Sequence, residues 1–78
     1  MRDDPSLEEQ RSVLQKLLIR VPTIVCSGGI MTTRQYRSDV KDAFRAMAAG
    51  RLSRINESIE VMRVWHSGQI PHYHPIIE

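Results

Sequence analysis

The chain carries a single cysteine in 78 residues. Cys26 therefore has no intramolecular disulfide partner and cannot build a cysteine zinc site, which suits a reducing compartment; a small buried thiol is the expected role. No run approaches the ~18 consecutive apolar residues of a membrane span. The segment from Met1 to Pro5 also lacks the apolar core of a signal peptide. A cytoplasmic or nuclear protein without membrane contact is expected. Phosphate-cradling chemistry is missing as well, because Ser27, Gly28 and Gly29 are followed by no Lys-Ser or Lys-Thr pair. Cys26 has no histidine and carboxylate arranged to activate it, and neither repeats nor low-complexity tracts occur. This inventory argues against an enzyme and implies no cofactor.

What is present suits one small folded domain. Hydrophobic residues make up 41% and charged residues 26% of the chain, the balance of a globular domain rather than a disordered tail. A chain this short buries only about 60% of its unfolded surface, so its stability should be modest. The net charge of +2 and pI near 9.1 are mildly basic, so contact with a polyanion would need local clustering of charge. With apolar Ile76 and Ile77 just before Glu78, the expectation is a single domain over residues 1–78, taken from a longer protein.

The first helix is expected from about residue 5. Asp4 can cap with Pro5 in the first helical position, or Ser6 and Glu9 can form a capping box. Leu7, Leu14, Leu17, Leu18 and Val21 recur at helical spacing as one apolar face, and Pro22 ends the helix. Thr23 to Cys26 is a short β-branched run, read as a small strand, and Ser27 to Gly29 turn the chain. The second helix should start at Thr32 or Thr33 and run to about Ala48, with Gly50 as its left-handed stop. Tyr36, Val40, Phe44 and Met47 stack at helical spacing and are assigned to the core.

Another side of this helix gathers Arg34, Arg37, Ser38, Lys41 and Arg45, a basic stripe flanked by Asp39 and Asp42. It is the main candidate partner-binding surface. A third, short helix is expected from Leu52 to Ser58, with Leu52, Ile55 and Ile59 inward and Arg51 and Arg54 outward. As a recognition helix it would offer only Arg54, Asn56 and Glu57, a poor set for reading DNA bases.

Val61 to Trp65 and Ile70 to His74 read as the strands of a β-hairpin joined through His66 to Gln69, with Gly68 at positive φ. Met62 and Val64 would face inward and Arg63 and Trp65 outward, leaving Trp65 half-exposed. Pro71 and Pro75 place the second strand at an edge. His66, His72 and His74 invite a metal reading, but no further ligand stands at suitable spacing, so no metal site is assigned. The resulting fold class is α+β: a winged helix of three helices followed by a β-hairpin, with a short strand between the first two helices.

Several segments resemble the LOTUS domain, also called OST-HTH, of the limkain, Oskar and Tudor-containing germline proteins. The resemblance runs from about Leu7 to Ile76. It rests on the apolar turn before Gly28, Gly29 and Ile30, on Gln35-Tyr36-Arg37, and on Leu52 through Ser58 to Val64 leading into the Gly68 hairpin, with Tyr73 in the final aromatic place. It implies a binding module in germ-granule RNA regulation. Family members either dock on a Vasa-type DEAD-box RNA helicase or associate with structured or G-rich RNA. The helicase-docking type carries an extra helix after the hairpin, for which a chain ending at Glu78 leaves no room. Carried onto this chain, the helicase-facing surface is the stripe around Arg34, Arg37, Lys41 and Arg45; the RNA-facing set adds Arg51, Arg54 and Arg63. The preferred expectation is a non-catalytic adaptor that docks a protein partner. RNA binding is the first alternative, a DNA-binding winged helix the second, and homodimerisation through the hairpin edge stays open.

Overall fold

In the computed structural model, which describes residues 5–71, four helices follow one another: α1 (Pro5–Ile19), α2 (Thr23–Ser27), α3 (Gly29–Ala49) and α4 (Leu52–His66). No strand occurs among the described residues. The fold is therefore a small all-helical bundle, and the winged-helix expectation is overturned.

The decisive correction lies in α4. The short helix expected over Leu52–Ser58 does not hand over to a strand but continues through the whole of 61–66. Its inward residues are Ile55, Ser58, Ile59, Met62 and Trp65, a three-to-four residue period that holds from end to end. Val61 and Val64 favour a strand, yet a β-branched residue in a helix costs only some tenths of a kcal/mol. Complete burial of Ile55, Met62 and Trp65 is worth roughly 2 kcal/mol each, so packing wins. Trp65, expected half-exposed, has no solvent-accessible surface. Gly68 does have positive φ, 92°, but it turns the chain out of α4 rather than closing a hairpin. Ile70 and Pro71 are not in a strand; His72 to His74 and Pro75, with the histidine pair of the metal reading, lie outside the described residues. The hairpin edge on which homodimerisation depended is lost with its first strand.

Two further local expectations change. Thr23 to Cys26 forms the short helix α2, and Cys26 is exposed rather than buried. Helix α3 starts at Gly29, earlier than Thr32, with Gly28 between α2 and α3. A Cβ on Gly28 would stand 2.6 Å from the Ile24 carbonyl oxygen and 2.8 Å from Thr32 Cβ, so the corner closes only around glycine. At the other end Gly50 has φ 68° and its N–H returns to the carbonyls of Ala46 and Met47, the left-handed stop that the sequence leads one to expect.

Helix α4 packs against both α1 and α3. It runs parallel to α1: Gln10 donates to Asn56 at 2.7 Å near their starts, and His66 Nε2 donates to the Leu17 carbonyl at 2.8 Å near their ends. Since a carbonyl can only accept, the Nε2 nitrogen carries the proton. Arg11 donates to the Met47 carbonyl at 3.0 Å, tying α1 to the C-terminus of α3, where a cation also suits the helix dipole. The core gathers Leu14, Val25, Tyr36, Ala43, Ala46, Ile55, Ile59, Met62 and Trp65.

Candidate binding surface on helix α3

The face that α3 buries differs from the one its largest side chains suggest. Tyr36, Asp39, Ala43 and Ala46 point inward, with two alanines that allow the neighbouring helices to come close. Val40 and Met47 are only partly buried, and Phe44 is 55% exposed. The expected core row of Tyr36, Val40, Phe44 and Met47 is thus rotated, and Phe44 is moved onto the surface.

Asp39 explains the rotation. Expected beside the basic stripe, it is 2% exposed. Trp65 Nε1 donates to its Oδ2 at 2.7 Å, and Gln35 Nε2 donates to its Oδ1 at 3.3 Å. Tyr36 meets the Trp65 ring edge to face, with centroids 5.3 Å apart and an interplanar angle of 81°, the geometry that aromatic quadrupoles favour. A buried carboxylate is tolerable only when its oxygens are bonded, and here a charge-assisted bond to the indole helps to meet that need. Burial also pushes the Tyr36 hydroxyl above its usual pKa of 10.0.

With Asp39 turned inward, the outer face of α3 is more basic than its sequence implies. Arg34, Arg37, Ser38 and Lys41 come together as expected and line a groove of about 540 Å³ with Tyr36, Val40 and Phe44. Arg45 is exposed but sits 3.7 Å from Asp42; a pair so open to water is worth little. No ion pair among the described residues engages Arg34, Arg37 or Lys41. Arg34 and Arg37 also line a second groove, of about 400 Å³, with Val25, Cys26, Gly29, Ile30 and Thr33 at the α2–α3 corner. Ile30 and Met31 are 75% and 74% exposed. The two arginines form a ridge between apolar depressions, a feature the stripe alone did not reveal; the signal was Ile30, which stands four residues before Arg34.

The RNA-facing additions do not extend this surface as one patch. Arg51 and Arg54 are exposed at the start of α4. Arg63 lies in a separate groove between α1 and α4 with Val13, Lys16, Leu17, Arg20 and His66, in the last turn of α4, where a cation suits the helix dipole. Asn56, one of the few base-reading candidates, is already engaged by Gln10.

Among the described residues there is no group of three or more His, Cys, Asp or Glu side chains able to hold a metal ion, and no helix is long and apolar enough to cross a membrane. No protein-family model matches the chain, and neither a curated protein nor a solved structure matches it.

Proposed function

We propose that the chain is a non-catalytic interaction module that docks a protein partner on the exposed face of α3. One observation carries this reading: Arg34, Arg37 and Lys41, three cations that form no ion pair among the described residues, stand beside solvent-exposed Phe44 in one groove. Exposed apolar side chains that adjoin charges supply both halves of a protein interface, an anchor that gains by desolvation and a charge pattern that selects the partner.

A Vasa-type helicase is a partner implied by the LOTUS resemblance, and a germ-granule location belongs to the same resemblance. Its most telling landmark, the segment through Val61 and Val64, is helical here. The partner is therefore proposed by its chemistry, an acidic protein surface with an apolar contact. RNA is the second reading. It is favoured by the burial of Asp39, which leaves fewer carboxylates among the cations of the stripe.

The test is a photo-crosslinker placed at Ser38 of the full chain, in extract treated with RNase and matched extract left untreated. A protein crosslink that survives RNase and disappears in the Arg37→Glu, Lys41→Glu double variant is the expected result. A crosslink to RNA in its place, or an unchanged protein crosslink in the charge-reversed variant, overturns the reading.

A further inference from the structure

Along the outer face of α3, Ile30, Arg34, Arg37, Lys41 and Phe44 follow one another at steps of four, three, four and three residues. That alternation is the spacing of a coiled-coil seam, which keeps one row of side chains facing a partner helix over successive turns. On a straight helix the row drifts by only about 20° per heptad, which a slight left-handed supercoil removes, and at 1.5 Å per residue it is about 21 Å long. Its two ends are apolar and exposed, and its middle is cationic. The grooves on either side of the arginine ridge are the places where neighbouring side chains of a second helix would enter.

We infer that this seam receives an acidic amphipathic helix of a partner protein, with apolar residues at the two ends of a two-heptad stretch and carboxylates at the three seam positions between them. The inference rests on the protein-docking reading above and deepens it by fixing the partner's secondary structure and register. Charge complementarity selects the occupant. A second copy of the chain fails on the same ground: in antiparallel pairing Arg37 meets Arg37 and Arg34 meets Lys41, and in parallel pairing every cation meets its own copy. Like charges placed opposite one another repel, and here three such contacts occupy the centre of the seam. An unstructured polyanion satisfies the cations but leaves Ile30 and Phe44 in water. A helix with matched ends covers both, and both gains add on one rigid, preorganised surface.

The seam also separates roles within the stripe. Arg34, Arg37 and Lys41 are seam positions. Ser38 and Arg45 lie to one side, and Arg45 is already beside Asp42. Reversal of Lys41 should therefore weaken binding far more than reversal of Arg45, although both are exposed cations of the same helix.

Three synthetic probes test this against the 78-residue chain by fluorescence anisotropy. The first is a helical peptide with Leu, Glu, Glu, Glu and Leu at the matching four-three-four-three spacing. The second has the same composition with its glutamates moved to the opposite helix face, and the third is an RNA hairpin. The expected result is binding of the first peptide at least about tenfold tighter than the second, a difference of about 1.4 kcal/mol. Lys41→Glu and Phe44→Ser should each weaken the first peptide about tenfold, with Arg45→Glu near wild type and circular dichroism unchanged in all three variants. Equal affinity for the two peptides, equal effects of Lys41→Glu and Arg45→Glu, or tighter binding of the RNA hairpin overturns the inference. A silent matched peptide combined with a Ser38 crosslink that is lost on charge reversal would overturn the helical register alone. Failure of both experiments would remove the docking reading as well.

Discussion

Trp65 and Asp39 are joined by a 2.7 Å hydrogen bond between α4 and α3, both side chains being closed off from solvent. This contact sets the rotation of α3. Once its carboxylate is drawn toward the indole, the opposite side of the helix, with Arg34, Arg37, Lys41 and Phe44, must face outward. The candidate binding surface is thus positioned by a buried polar contact on the far side of the same helix.

Removal of the acceptor should be expensive. Asp39→Ala leaves the indole N–H without its partner in a dry site, and a loss of about 2 kcal/mol in unfolding free energy is expected. Asp39→Asn keeps an oxygen in place and should lose less. Urea denaturation followed by the Trp65 fluorescence checks both, and equal losses for the two variants would show that the acceptor is not what matters.

Tyr36 gives a pH dependence with a definite sign. Its hydroxyl is pushed upward by burial, so the folded state resists its ionisation more than the unfolded state does. The associated stability is fully present below the unfolded value of about 10 and is lost as the pH rises through the higher folded value. Tyr36→Phe should flatten the fall in stability on the alkaline side of pH 10 while leaving the slope at neutral pH unchanged. Melting temperatures recorded across that range decide it, and an identical alkaline slope in the variant would count against the assignment.

The helical state of 61–66 is open to direct measurement. Arg63→Pro removes a helix hydrogen bond at the start of the last turn of α4 and crowds the carbonyl of residue 59; up to about 3 kcal/mol should be lost. Backbone Cα chemical shifts of Val61 to Trp65 in the wild-type chain should be helical. Strand-like shifts over those residues would restore the hairpin.

The two glycine corners should fail by different mechanisms. Gly50→Ala asks a side chain to adopt φ 68°, at a cost of about 1 kcal/mol. Gly28→Ala drives a Cβ to 2.6 Å from the Ile24 carbonyl oxygen, against backbone rather than a flexible side-chain tip, and should cost more, about 1–3 kcal/mol as in overpacked cores. Thermal melts of the two variants rank them, and a Gly28→Ala protein as stable as wild type would mean that α2 can move away from α3.

Local rules carried part of the structure. Pro5 and Pro22 bracket α1, Gly50 stops α3, and the stripe of Arg34, Arg37, Ser38 and Lys41 follows from helical period alone, because each depends on residues within a turn or two of one another. Burial depends on partners distant in sequence. Asp39 reads as a surface residue until Trp65, 26 positions later, gives it a donor. Ala43 and Ala46 read as neutral until a neighbouring helix needs the space, and Phe44 reads as core until those alanines take its place. The valines of α4 favour a strand by tenths of a kcal/mol, a preference that several buried side chains on α1 and α3 outweigh. The sequence by itself therefore determined where charge gathers and where two of the helices run; only tertiary packing decided which face of α3 meets water, because burial is a property of pairs of elements and no single helix contains it.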